Sequence, residues 1–163
     1  MKKFLYLFCL SLCLNLPTWG QNNIILFGSG SPPLAYTTGT KRAGARLNNY
    51  NLFVKLPNKG IAELQIAYPE GIGSIFQEDS IEVIDRVSGK SIPLKEIKID
   101  RDGRGVRLIF AEVIPGNKQT LTIRLSGVNN PRNSGVYELV VQALGTEANP
   151  LFQTLGRWLV DIN

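Results

Sequence analysis

The chain has 163 residues, with 18 Lys and Arg against 13 Asp and Glu, two cysteines, one methionine and no histidine, for a net charge of +5. A chain of this length buries about 68–70% of its unfolded surface as one domain, so its core needs no disulfide. The lack of histidine excludes imidazole bases and imidazole metal ligands, and so small a basic excess does not mark a nucleic-acid binder.

Lys2 and Lys3 precede an apolar run from Phe4 to Leu16, interrupted only by Ser11 and Asn15, and then Pro17-Thr18-Trp19-Gly20. A basic start, a short apolar segment and small residues at alternate positions describe a secretory signal over residues 1–20, cut before Gln21. The run is too short to span a bilayer, which takes about 20 apolar residues. Cleavage removes Cys9, Cys13 and Met1, so the mature chain has no thiol nucleophile or thiolate ligand. Without Lys2 and Lys3, sixteen cations face thirteen anions, a net of +3. The expected location is the periplasm or the extracellular medium, with a thylakoid lumen also compatible, and no membrane span remains.

Residues 21–46 read as a lead-in. Ile24–Phe27 suits a short strand or a segment lying along one. From Gly28 to Arg46 the chain is rich in Gly, Ser, Pro and Thr, with Pro32-Pro33-Leu34 and Tyr36 able to pack on the domain surface. Lys41, Arg42 and Arg46 form its most basic cluster.

The domain proper is expected over residues 47–163. Leu52, Val54 and Leu56 alternate with polar neighbours up to Pro57-Asn58-Lys59-Gly60, and Ala62, Leu64 and Ile66 follow, which reads as a hairpin. Gly71–Asp79 fits a loop or one helical turn, and Ile81–Ile84 a strand. Ile92–Ile99 is ambiguous between a short helix and a strand. Asp102-Gly103 turns the chain into Val106, Leu108 and Phe110. Leu121, Ile123 and Leu125 alternate with Thr120, Thr122 and Arg124, and Tyr137, Leu139, Val141 and Ala143 repeat the pattern beyond a Pro/Asn-rich loop. Trp158, Val160 and Ile162 close the chain in the same way. About seven to nine short strands at roughly ten-residue intervals, with at most one short helical turn, define an all-β protein. The spacing predicts a single immunoglobulin-like antiparallel β-sandwich.

Tyr137 follows Gly135-Val136 at the start of a late strand, where immunoglobulin-like domains place a tyrosine that pins a corner; backbone at 127–130 is the expected acceptor. The loop Asn129-Asn130-Pro131-Arg132-Asn133 combines side-chain amides with a guanidinium that can fork two bonds to a carboxylate. Turn chemistry accounts for the same residues. Asp100-Arg101-Asp102-Gly103 has alternate carboxylates, but Arg104 occupies the next ligand position and Ala111 the closing one, so it reads as a turn and no metal site is expected. Neither a nucleophile elbow nor a carboxylate pair stands out, and no cofactor is expected.

Several segments together carry a family resemblance: I-I-L-F-G-S-G-S-P-P-L at 24–34, A-R-L-N-N-Y-N-L-F-V-K-L-P at 45–57, L-Q-I-A-Y-P-E-G at 64–71, R-L-I-F-A-E-V-I-P-G-N-K-Q-T-L-T-I-R-L at 107–125, V-N-N-P-R-N-S-G-V-Y at 128–137 and L-G-R-W-L-V-D-I at 155–162. The chain resembles a family of small exported proteins, found mainly in cyanobacteria and described as a domain of unknown function. The resemblance implies an exported β-sandwich and carries over no catalytic residue.

The expected function is a non-enzymatic binding or structural module of the cell envelope, with an envelope glycan or a partner protein as ligand. Its binding residues would be Asn129, Asn130, Arg132 and Asn133, with Arg42 and Arg46. The alternatives are a carboxylate-based hydrolase of an envelope glycan and a calcium-stabilised adhesion module.

Overall fold

The computed structural model describes residues 31–117 and 119–163. The expected signal segment and the Ile24–Phe27 run lie outside the described residues. Nine strands follow in order: β1 (Tyr36–Thr38), β2 (Asn48–Lys55), β3 (Ile61–Ala67), β4 (Ile81–Asp85), β5 (Leu94–Asp100), β6 (Gly105–Ile114), β7 (Thr120–Val128), β8 (Gly135–Gly145) and β9 (Phe152–Ile162). They form two antiparallel sheets, one ordered β1-β2-β7-β4 and the other β5-β6-β3-β8-β9. The protein is an immunoglobulin-like β-sandwich. In the five-stranded sheet β6 lies next to β3 and β5 forms the edge, and the short β4 takes the edge position beside β7 in the other sheet.

Period-two burial builds the core. Tyr50, Leu52 and Val54 of β2 and Leu121, Ile123 and Leu125 of β7 face Leu64 and Ile66 of β3, Leu139 and Val141 of β8, and Trp158, Val160 and Ile162 of β9. Trp158 is fully buried, and its indole Nε1 donates to the Phe53 carbonyl at 3.0 Å, tying β9 to the opposite sheet.

The structure corrects one expected hairpin and defines three further segments more closely. The β2–β3 connection is not a hairpin: β2 pairs with β7, and β3 with β6 and β8. Both strands carry a continuous apolar face, and the two faces are buried by opposing each other across the core rather than lying side by side. The ambiguous stretch after Ile92 is the strand β5, hairpinned to β6. Instead of at most one helical turn there are two short 3-10 turns, Gly73–Ile75 and Glu78–Ser80. Ile72, Ile75 and Phe76 are fully buried there, and Tyr68 stacks on Phe76 at 5.0 Å, so this segment stoppers one end of the core. Finally, the four-stranded sheet already starts at Tyr36, inside the stretch read as a lead-in.

That N-terminal stretch closes the open side of the sandwich. Leu34 N donates to the Arg157 carbonyl at 2.7 Å and Arg157 N to the Pro32 carbonyl at 3.0 Å, making a parallel bridge on the edge of β9. The chain then crosses to β2 as β1. It returns to the end of β9, where Ala43 N meets the Asn163 carbonyl and Asn163 N the Lys41 carbonyl.

Candidate functional site

At the end of the sandwich where β7 leaves and β8 begins, a buried polar network joins the 38–48 segment to the loop 129–134. Asn130 is 3% exposed, and its side chain is saturated: Oδ1 accepts from Asn48 Nδ2 and the Tyr50 hydroxyl, both at 2.6 Å, while Nδ2 donates to the carbonyls of Thr40 at 3.1 Å and Arg42 at 2.8 Å. An amide offers two donors and two acceptor positions, and all four are in use. Asn48 accepts from Thr40 N and shares its own amide with Thr38 Oγ1 and the Thr40 carbonyl. Burial pushes the Tyr50 hydroxyl above its ordinary pKa, so it stays a proton donor to Asn130. Two backbone bonds complete the junction, Asn130 N to the Ala45 carbonyl at 2.8 Å and Gly44 N to the Pro131 carbonyl at 2.7 Å.

The network joins the two backbone segments that carry the expected site residues. Arg42, Arg46 and Arg132 are all exposed, and each lies within two residues of a bond that joins the two segments. Among the described residues none of these three guanidiniums makes an ion pair, whereas neighbouring Lys41 is paired with Asp161 at 3.0 Å. Asn129 and Asn133 are exposed beside them. The Asn129 carbonyl accepts from Ser74 Oγ at 3.2 Å, which anchors the loop to the stopper segment. Asn130 belongs to the scaffold, since its amide has no position left for a ligand. The Tyr137 hydroxyl donates to the carbonyl of Asn133 at 2.7 Å, four residues upstream. The acceptor is therefore nearer than the 127–130 backbone, because the loop folds back on the tyrosine.

Asn48, Tyr50 and Leu47 are missed by sequence reasoning. Asn48 and Tyr50 lie in register with the strand pattern of β2, and nothing local distinguishes a buried amide from a turn amide. Leu47 precedes the strand. It has φ +56°, and its side chain is 78% exposed.

A cleft of about 310 Å³ at the opposite end is lined by Asp85, Ser88, Lys90, Glu112 and Gln119, with Ile92, Pro93 and Pro115 also in its lining. Asp85 accepts from Val87 N and Ser88 Oγ, both at 2.9 Å, and the Val87 amide above all holds its carboxyl below the ordinary carboxylate value. A carboxylate so engaged serves its own turn and is poorly suited to give up a proton. Elsewhere Glu63, Glu82, Glu138 and Glu147 are paired with Arg107, Arg124, Arg157 and Lys59. Among the described residues no group of three His, Cys, Asp or Glu is placed to hold a metal ion. In the Asp100–Gly103 turn, Asp100 Oδ1 accepts from Gly103 N at 2.8 Å. No helix among the described residues is long and apolar enough to cross a membrane.

The sequence profile of a family described as "Protein of unknown function (DUF2808)" matches residues 24–162. The chain belongs to this family. Among solved structures it is similar to BslA, described as a bacterial hydrophobin, with 16% identity over 82% of this chain and 95% of that one, at a TM-score of 0.51. Looser similarity extends to the collagen-binding domain of a Staphylococcus aureus adhesin (9% identity, 75% and 96% covered, TM-score 0.40) and to the collagen-binding subdomain of the Enterococcus faecalis surface protein ACE (9%, 81% and 99%, TM-score 0.43). At such identities the likeness concerns the fold alone. No curated protein matches the sequence.

Proposed function

We propose that the protein is an exported, non-enzymatic binding module of the cell envelope whose ligand is an acidic glycan, held at the end of the sandwich formed by Arg42, Arg46, Arg132, Asn129 and Asn133. The observation that carries this reading is the saturated Asn130 amide. It joins two segments remote in sequence that carry Arg42, Arg46 and Arg132, which have no acidic partner among the described residues. Guanidiniums fork onto carboxylate or sulfate, and exposed side-chain amides suit sugar hydroxyls. The basic, apolar start of the chain supports export. The hydrolase alternative has less support, because the cleft at the opposite end offers Glu112 beside an Asp85 already committed to its turn. The calcium alternative lacks a ligand cluster among the described residues.

Retention of the processed protein on immobilised acidic and neutral polysaccharide, at low and high salt, tests the proposal. Salt-sensitive retention on the acidic polymer alone is expected, and Arg132→Ala or Arg42→Ala should each weaken it by up to about fivefold. Equal retention of wild type and both variants would refute the site.

A further inference from the structure

Leu47 does not fit a surface that reads only a soluble glycan. It stands between Arg46 and the buried Asn48, immediately before β2. Its backbone is left-handed, with φ +56°. That conformation crowds the Cβ of an L-residue against the following carbonyl, and Gly or Asn adopts it at far less cost. The bend itself has a structural purpose: it turns the chain so that Asn48 points inward to the network while residue 47 points outward. Glycine or asparagine would make the same bend. Only the isobutyl group is unaccounted for, and at 78% exposure it packs against little of its own domain.

Single exposed apolar residues are ordinary on protein surfaces. Leu47 differs in combining a strained backbone, exposure and a place beside three guanidiniums that have no acidic partner among the described residues. Of the other strongly exposed apolar side chains, Val136 at 66% stands at this same end, at the start of β8, whereas Val87 at 88%, Leu151 at 80% and Val113 at 54% lie toward the opposite end. Two of the cations near them are engaged: Arg86 stacks over Phe53 at 4.3 Å and Lys59 pairs with Glu147 at 2.6 Å. At the Leu47 end an exposed apolar side chain stands on the segments that carry three arginines without an acidic partner among the described residues, although Lys55 and Lys90 near Val87 are unpaired there as well.

The geometry points to an anionic lipid surface as the partner of this end of the molecule, with Arg42, Arg46 and Arg132 on headgroup phosphates and Leu47 inserted among the acyl chains just beneath them. This rests on the arginine surface proposed above and narrows its ligand from anionic polymer to anionic amphiphile. A soluble polyanion gives Leu47 nothing to enter, whereas a bilayer rewards an apolar group carried a few ångströms below a layer of basic side chains. The buried amide network suits the task, because insertion is most effective when the inserting loop is already held in its bound shape.

Flotation of the processed protein with vesicles of phosphatidylglycerol and phosphatidylcholine, compared with phosphatidylcholine alone, tests the inference. Binding is expected only to the anionic vesicles. Arg132→Ala should weaken it about fivefold and Leu47→Asn about tenfold. Val87→Asn, an equally exposed site at the far end, should leave it unchanged. Asparagine tolerates the left-handed backbone, so the melting temperature of Leu47→Asn should stay within about 3 °C of wild type, separating lost insertion from lost folding. If Arg132→Ala weakens vesicle binding and Leu47→Asn does not, the arginine surface stands and insertion is refuted. Vesicle binding that neither variant alters refutes both. Retention on soluble acidic polysaccharide that falls as much with Leu47→Asn as vesicle binding does would also overturn the lipid assignment, as would a purified acidic protein that binds through Leu47 while vesicles do not.

Discussion

Asn130 has no spare hydrogen-bonding position, and each of its four bonds crosses between segments remote in sequence. Truncating it strands the Tyr50 hydroxyl and part of the Asn48 amide in a region without water access, where each unsatisfied group costs about 1–3 kcal/mol. Asn130→Ala should therefore lower unfolding free energy by about 3 kcal/mol, read from the shift of a urea transition. Asn130→Asp should cost at least as much despite equal size, because it aims a carboxylate oxygen at the carbonyls of Thr40 and Arg42. Tyr137→Phe gives the contrast, since its bond to the Asn133 carbonyl is exposed and its loss should cost about 1 kcal/mol. Three indistinguishable urea midpoints would mean that the network does not hold the two segments together. The reach of this network was invisible in the sequence: Asn130 and Asn133 look alike in a turn-rich loop, and only their different burial assigns one to the scaffold and leaves the other at the surface.

Among the elements, the N-terminal stretch and β9 depend on each other through Gly156. The pairing of β8 with β9 shifts between Val141 and Gln142, so that Gly156 sits at a bulge with φ +156°. A Cβ there would come within 2.7 Å of the Pro32 carbonyl and Leu34 Cγ. Gly156→Ala should thus push the 32–34 segment off the β9 edge, and amide exchange at Leu34 and Arg157 should accelerate while the β3 amides stay protected. Uniform protection in the variant would contradict this picture. Between β3 and β6, Glu63 is buried and held by both nitrogens of an Arg107 fork, at 2.5 and 2.7 Å. Arg107→Leu leaves that carboxylate without its partner and should cost about 3 kcal/mol, whereas breaking an exposed pair such as Arg124–Glu82 should cost under about 1 kcal/mol. The alternation of apolar residues made most of these strands legible. Which sheet each strand joins was not, because alternation fixes a buried face and says nothing about which neighbour covers it.

Over the whole molecule, the groups with shifted pKa values set the acid and alkaline limits of stability. Asp85 and Glu147 are held below the ordinary carboxylate value, Asp85 chiefly by the Val87 amide and Glu147 chiefly by the Lys59 ammonium. Their folded pKa values lie below the unfolded ones, so their stabilisation is present above the unfolded value near 4 and fades as pH falls through the folded value. Lys41 is raised by its bond to Asp161, so its contribution is complete below the unfolded value of 10.5 and fades as pH rises through the folded one. The chain has no histidine to titrate between these limits. The melting temperature should stay level from about pH 5 to about pH 9 and decline outside that interval. A transition centred near neutrality would show that a group outside these is linked to folding.

The sequence by itself determined the class of molecule: about seven to nine short segments, most of them period-two and broken by Gly, Pro, Asn and Asp, can bury their apolar faces only by stacking sheets, and a chain without histidine has a narrow catalytic repertoire. Tertiary structure decided the partners. It placed β2 and β3 in opposite sheets, drew residues 32–43 across the open side, and used Asn130 to tie the 40–45 backbone to the loop 129–134. The physical reason is that local pattern encodes which face of a segment avoids water. Contacts between residues some 90 positions apart depend on how those faces are closed together and on which polar groups must then satisfy one another inside.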